Sequence, residues 1–424
     1  MIGHYRLMIV RRYLFLFVFI SLCTILPRPL YPGANRGGTG KEEIVFWHSI
    51  KTYNKSILNS LIDDFNGQHP RLSVNGVFQG NEENLYFNLI SQENLPDIVQ
   101  IPVQFIKPLR EKNLITRLDP LIPQKLRNDI PEKFWDTVIS NESIYGIPFT
   151  FNVNILFVNQ QILRVASVSR EKEPKSWDEL LSVISRIRQN APGRFAFYIP
   201  LESMSQFISF VESYTGASIF KDDRIIVNSE GAVSAMRFLQ AAVYEHRYMP
   251  SKITTDEGIQ MFLSGNIGLM LGSSSMLVYT ESNLPYDLNV WHLPSWERAG
   301  PAVFGTCLAV VRSNNRRERE AFRFIEYMTD DEQAIKWQTH TGTPAIRSSV
   351  KKSLDLLIFY EENPNYMASV IELESGSVIA PSFDYFGVAS IIKNAVEEIM
   401  VNREDPEAVL NRAQKAIDEK KGTS

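Results

Sequence analysis

From residue 44 onward, short apolar runs alternate with longer stretches in which apolar residues recur every three or four positions. Ile44-Val45-Phe46-Trp47 is a continuous apolar run and predicts a short buried strand. Residues 53–66 place Ile57, Leu58, Leu61, Ile62 and Phe65 on one face of a helix, with Gly67 expected as its C-terminal cap. Residues 72–78 predict a second strand, 83–92 a second helix and 97–101 a third strand. This alternation predicts an α/β fold with a mostly parallel sheet covered by helices. Ligands of such sheets sit beyond the carboxyl ends of the strands, which marks the loops 48–52, 79–82 and 102–104.

Residues 143–159 are strand-rich, interrupted by Gly146 and Pro148. Helices are predicted over 177–189, with Ser176 as N-cap, and over 231–248. A turn and an apolar strand follow at 262–271, another apolar strand at 302–311 and a helix at 317–329. Of two C-terminal helices, the first shares Ile391, Ile392, Ala395, Val396, Ile399 and Met400 on one face. Asp405 caps the second and Pro406 starts it.

A chain of 424 residues exceeds one ordinary core and fits two lobes or domains. Its net charge of −4, without a long basic run, argues against a nucleic-acid partner. Cys307 is the only cysteine outside the N-terminal apolar run, which excludes a disulfide framework and a thiolate metal site. The six histidines show no HExxH or HxH spacing, so neither a metal nor another cofactor is expected. Gly37-Gly38-Thr39-Gly40-Lys41-Glu42 lacks the spacing and the Ser/Thr of a phosphate loop, and Gly272-Ser273-Ser274-Ser275-Met276 lacks the second glycine of a nucleophile elbow. No catalytic set stands out, and the expectation is a binding protein rather than an enzyme.

Arg6, Arg11 and Arg12 precede the apolar run of residues 13–26. Its length suits a signal-peptide core and falls short of a membrane span, with translation starting at Met1 or Met8. Two fates are open: cleavage near Pro32-Gly33-Ala34, or lipidation of Cys23. Either way the expected location is extracytoplasmic, in the periplasm or at the cell surface. Residues 1–34 are the leader in this reading, and 35–42 are a flexible connection.

Several separated motifs agree in order with one family. They are Phe46-Trp47-His48-Ser49, Asp64-Phe65-Asn66, Gln79-Gly80-Asn81, Gly146-Ile147-Pro148-Phe149 with Leu156-Phe157-Val158-Asn159, and Ser176-Trp177-Asp178-Glu179-Leu180. Further on come Phe262-Leu263-Ser264-Gly265-Asn266 before Gly272-Ser273-Ser274, then residues 337–342 (WQTHTG), and Phe359-Tyr360-Glu361-Glu362-Asn363-Pro364. The chain resembles the family 1 extracellular solute-binding proteins of ABC importers, the maltose-binding-protein class, and within it the glycerol-3-phosphate-binding members.

The resemblance implies a two-lobed periplasmic-binding-protein fold, each lobe a central sheet with flanking helices. Lobe one would take 43–147 and 304–343, and lobe two 148–303 and 344–424. It also implies a monomer that captures a small polar solute by hinge closure and delivers it to permease subunits driven by a cytoplasmic ATPase. Matching positions suggest ligand contacts at Trp47, Glu82, Val103, Asn152, Glu202, Ser273, Ser274, Gly305 and Thr343. Glu82 and Val103 stand where the glycerol-3-phosphate binders carry Tyr and Glu, and their phosphate-facing Arg falls at Ile392, beside Lys393. Losing a bidentate arginine and gaining Glu82 disfavours a phosphate monoester. A sugar, a polyol or a glycerophosphodiester with a cationic head fits better. A sensor receptor on the same fold, a secreted enzyme on a similar scaffold and a structural surface protein remain alternatives.

Overall fold

A computed structural model describes residues 41–169, 172–201, 203–221, 224–251, 253–294, 301–379 and 384–421. The apolar run 13–26, Cys23, the segment 32–34 and Glu202 lie outside them. Strands are β1 Glu42–His48, β2 Leu72–Phe78, β3 Ile98–Pro102, β4 Ile139–Ser140, β5 Ser143–Ile144, β6 Ile147–Asn152 and β7 Asn154–Asn159. Then come β8 Phe195–Tyr198, β9 Phe220–Lys221, β10 Arg224–Ile225, β11 Ile267–Ser273, β12 Leu288–Trp291, β13 Ala302–Val310 and β14 Ser377–Val378.

The first sheet has the order β14-β13-β3-β1-β2, with β6 also paired to β13. β1 and β3 run parallel, as the alternating pattern predicts. β13 runs antiparallel to both β3 and β6, so the sheet is mixed rather than mostly parallel. Every residue of β3 is buried; its one polar member, Gln100, is satisfied by the Ser49 N–H. The helix Lys55–Gln68 lays Ile57, Leu58, Leu61, Ile62 and Phe65 into the same core, where Phe65 packs edge-on to Phe324. Gly67 falls inside its last turn. The chain instead leaves the helix at His69, whose Nδ1 lies 2.8 Å from the Phe65 carbonyl oxygen and whose ring stacks on Phe65.

The second sheet has the order β12-β7-β11-β8. β7 is antiparallel to β11 and β12, and β11 is parallel to β8. Trp177 opens the helix Trp177–Asn190, capped as expected by Ser176, and packs edge-on against Phe197, Phe210, Tyr214 and Phe238. Two hairpins, β4–β5 and β9–β10, complete the strands. The last helices, Tyr385–Met400 and Pro406–Lys421, pack on each other and on the helix Glu230–Tyr244. Asp405 caps the second by accepting from Ala408 N–H at 2.9 Å. Among the described residues no helix is long and apolar enough to cross a membrane.

Candidate functional site

The two sheets are joined where the chain changes sheet. β6 belongs to the first and β7 to the second, so the change falls at Val153. Ser274, just past β11, clamps that residue twice: its N–H donates to Val153 O (2.9 Å), and its Oγ accepts from Val153 N–H (3.3 Å). Asn152 Oδ1 accepts from Ser274 Oγ (3.4 Å) and from Thr343 Oγ1 (3.1 Å), just beyond the helix Asp331–Thr341. One strand away, the hydroxyls of Thr150 and Thr306 lie 2.7 Å apart and tie β6 to β13. Neighbouring segments are thus fastened side chain to side chain at one junction, where low water access makes each bond costly to break.

Beyond this junction, loops from both lobes face each other. From the first lobe come the segment after β1, the start of the helix Glu82–Ile90, and the 3₁₀ turn Val103–Phe105. Gln79 N–H donates to His48 O, and Ser49 N–H donates to Gln100 Oε1 (3.2 Å), which locks the strand ends together. From the second lobe come Ser273, Ser274 and Ser275 and the start of the helix Tyr385–Met400. Direct contacts cross the gap: Tyr53 Oη lies 3.5 Å from Ser275 Oγ, Asn54 Nδ2 donates to Ser275 O (3.4 Å), and the Tyr53 and Tyr279 rings are 5.5 Å apart.

Glu82 is the informative group in this gap. Asn81 caps its helix by accepting from Asn84 N–H (2.7 Å), which leaves the Glu82 carboxyl free of that duty. Glu82 is half-buried and has no hydrogen-bond or ion-pair partner among the described residues. Desolvation raises its pKa above the ordinary carboxylate value, and Lys51 nearby pulls the other way. The Tyr385 hydroxyl on the opposite lobe is pushed up by burial and by the Glu82 charge, which places the two groups within electrostatic reach. Tyr53 is likewise raised by desolvation, partly offset by Ser275.

The other expected contacts separate into two sets. Trp47 is half-buried against the first core, and Ser273 is half-buried with its Oγ 2.9 Å from Ser275 Oγ; both stay beside the gap. Val103 points into the core at 1 % exposure because the 3₁₀ turn after β3 rotates it inward. Ser274, Thr343 and Asn152 instead bond to one another and to Val153 where the chain changes sheet. Gly305 is buried opposite Phe151, and a Cβ there would collide with that ring. Ile392 lies in the core and Lys393 is exposed. His48 is buried between the rings of Phe46 and Phe78, its pKa lowered to about 4 by desolvation and Lys55, so it stays a neutral packing residue.

Thr343, Phe149, Trp337 and Arg347 also border a cavity of about 30 Å³, too small for a solute. A wider depression of about 520 Å³ runs along Asn228, Asn411, Gln414 and Asp418; it is open to solvent and shares no residue with the facing loops.

A family model described as bacterial extracellular solute-binding protein matches residues 60–368. The chain belongs to that family. It is 21% identical over 351 residues to the sn-glycerol-3-phosphate-binding periplasmic protein UgpB of Pectobacterium atrosepticum, covering 77% of this chain and 78% of that one. It is 22% identical over 307 residues to an uncharacterized lipoprotein encoded in the oleD 5′ region of Streptomyces antibioticus, covering 68% and 67%. Among solved structures, UgpB from Mycobacterium tuberculosis in complex with glycerophosphocholine superposes with a TM-score of 0.81 at 18% identity, over 90% of this chain and 98% of that one. The GacH receptor of Streptomyces glaucescens, solved unliganded and with acarbose, gives 0.80 at 15% identity, over 89% and 98%. The two-lobed fold expected from the motifs is therefore the fold of this chain.

The facing loops are the candidate site, and their contacts add residues that the sequence pattern does not mark: Tyr53, Ser275, Tyr385 and Phe386. Tyr385-Phe386-Gly387 reads only as a helix start, and its partners lie about three hundred positions earlier.

Proposed function

We propose that this protein is the extracytoplasmic solute-binding component of an ABC import system. It holds a small polar ligand between its lobes and presents it to permease subunits coupled to a cytoplasmic ATPase. The protein acts as a monomer and binds without turnover, and Cys23 is its anchor if the leader is lipidated. Trp47, Glu82 and Ser273 line the ligand side, Tyr385 closes over it, and Asn152 and Thr343 support the pivot. Val153 is the first crossing point between lobes. The relatives' ligands, a phosphorylated glycerol, glycerophosphocholine and acarbose, span the same polar, hydroxyl-bearing class.

The observation that carries this reading is Glu82: a partly desolvated carboxylate without a hydrogen-bond or ion-pair partner among the described residues, close enough for its charge to raise the Tyr385 hydroxyl on the other lobe. An unpaired carboxylate is retained at such a cost where a ligand supplies the partner. It accepts hydrogen bonds from sugar or polyol hydroxyls, or pairs with an ammonium, and it repels a phosphate monoester.

Thermal melting of the protein against maltose, glycerol-3-phosphate, glycerophosphocholine and small quaternary amines tests this. Ligand at about 100 times its dissociation constant adds roughly 2.7 kcal/mol of stability. Glu82→Ala abolishes the shift. Glu82→Gln keeps it for a hydroxyl ligand, since the amide still accepts, and loses it for a cation. A shift with glycerol-3-phosphate alone, undiminished in Glu82→Ala, overturns the proposal.

A further inference from the structure

The lobes meet at a second place whose chemistry differs from the polar contacts around Ser275. Phe386 sits in the first turn of the helix Tyr385–Met400, which buries Val388, Ile392, Ala395, Val396 and Ile399 in the second lobe. Gln240 Nε2 donates to Ile399 O (3.0 Å) and fixes the far end of that helix. The Phe386 ring turns away from this face and enters an aromatic group on the first lobe. It stacks on Phe105 at 4.7 Å between centroids, meets Tyr86 at 5.4 Å and lies parallel to Phe87 at 6.1 Å. Tyr385 adds an edge-on contact to Phe105 at 6.0 Å. Tyr86 and Phe87 lie on the helix that Glu82 begins, so this contact and the candidate ligand carboxylate are built on one element of each lobe.

We infer that Phe386 is a clasp: it holds the lobes together in the absence of ligand and thereby sets how readily the site opens. Opening exposes the stacked faces of Phe105 and Phe386 to water, and that cost is apolar and non-directional. The polar contacts of Tyr53 and Asn54 with Ser275 impose no comparable cost, because water replaces their hydrogen bonds as soon as the gap widens. Phe386 meets three first-lobe rings where Tyr53 meets only that of Tyr279, so the Phe386 group carries the larger apolar share of the opening cost. A ligand binds with an apparent affinity scaled by the fraction of binding-competent molecules, and the clasp fixes that fraction. The inference rests on the two-lobed hinge reading and is independent of which ligand Glu82 takes.

The test is a distance distribution between spin labels at Lys107→Cys on the first lobe and Lys393→Cys on the second. Both positions are exposed, Cys307 is buried, and the labelled protein carries Cys23→Ser. The ligand-free protein shows a major short-distance population. Phe386→Ala lowers the ratio of short to long distances about 10-fold, the equivalent of about 1.4 kcal/mol, and Phe386→Tyr restores it. Phe87→Ala, on the opposite lobe and half-exposed, shifts the ratio in the same direction and guards against a folding defect in the first variant. A distribution unchanged by both Phe386→Ala and Phe87→Ala overturns the clasp, and so does one in which only added glycerophosphocholine or maltose produces the short distance. No ligand enters the primary measurement, so its failure leaves the Glu82 reading standing, and failure of the melting panel leaves the clasp standing.

Discussion

Replacing Glu372 by Gln should stabilise the protein, and only above a definite pH. Glu372 lies on the helix Met367–Ser375, which packs on the crossing strands β6 and β7. It is 6% exposed, and no hydrogen bond to its carboxyl is present among the described residues. Burial pushes its pKa from 4.5 up to about 7; the His292 charge opposes this and the Glu173 charge reinforces it. A pKa raised by folding means the unfolded chain releases its proton first. Whatever the protonated carboxyl contributes is therefore complete below pH 4.5 and lost as pH rises through about 7. The rise corresponds to about 3 kcal/mol at pH 8, an upper figure because water entry relaxes it.

Glutamine keeps the shape and removes the ionisation. Urea unfolding of both proteins from pH 4.5 to 8 should give equal stabilities at the acid end and a variant more stable by about 2–3 kcal/mol at pH 8. Its neighbours titrate differently. Burial alone would raise Glu173, but His292 donates to it from Nδ1 and from the main chain and brings its pKa to about 2, so it stays charged throughout the window. The His292 pKa is raised, chiefly by its hydrogen bond to Glu173, so its charge fades toward the basic end. That loss removes an attraction for ionised Glu372 and steepens the divergence. A difference between the two proteins that is flat with pH, or a less stable variant at pH 8, refutes the reasoning.

Two further substitutions probe the scaffold. Gly305→Ala drives a methyl group into the buried Phe151 ring and should cost about 1–3 kcal/mol, measured as a lowered melting temperature with the order of ligand preferences unchanged. Arg347→Ala strips a guanidinium that is 5% exposed from Asp129 (2.7 Å), Asp331 and the Thr329 carbonyl; stability should fall by about 3–5 kcal/mol in denaturant titration, and Arg347→Lys should not restore it.

The parts legible in the sequence were those specified locally. β1 follows from an apolar run, β2 and β3 from short segments rich in β-branched and aromatic residues, the caps Ser176 and Asp405 from side chains that can reach a free N–H, and the last two helices from a single apolar face. The placement of β13 between β3 and β6 was not legible, because residues 302–310 record burial and say nothing of direction or partners. The helices over 331–375 carry no clear periodic signature because their apolar residues point several ways: Leu354, Leu357 and Ile358 are exposed while Leu356 is buried. At the site, the strand-end loops could be named in advance, but side-chain direction could not. The 3₁₀ turns after β3 and β11 send Val103 and Ser274 inward, and a one-residue rotation in such a turn decides whether a side chain meets solvent or core.

The same distinction separates the chemistry of the pivot from that of the rim. At the proposed pivot, Asn152, Ser274, Thr343, Thr150 and Thr306 use directional, part-buried hydrogen bonds, where breaking one risks an unsatisfied group. These bonds resist sliding and admit rotation only about the segments they fasten. At the rim, stacked rings and a few hydroxyl contacts join the lobes, and their cost of separation falls smoothly as water enters. The proposed cycle of opening and closing needs this order of strengths. Were Phe386 the pivot and Asn152 the rim, the first opening would orphan buried polar atoms, and no small ligand could repay that on reclosure. In the proposed reading Glu82 stands between the two regimes, next to the contacts that release and at the start of a helix whose Leu85 and Leu89 are buried, which is where a ligand would add most to closure while touching least of the protein.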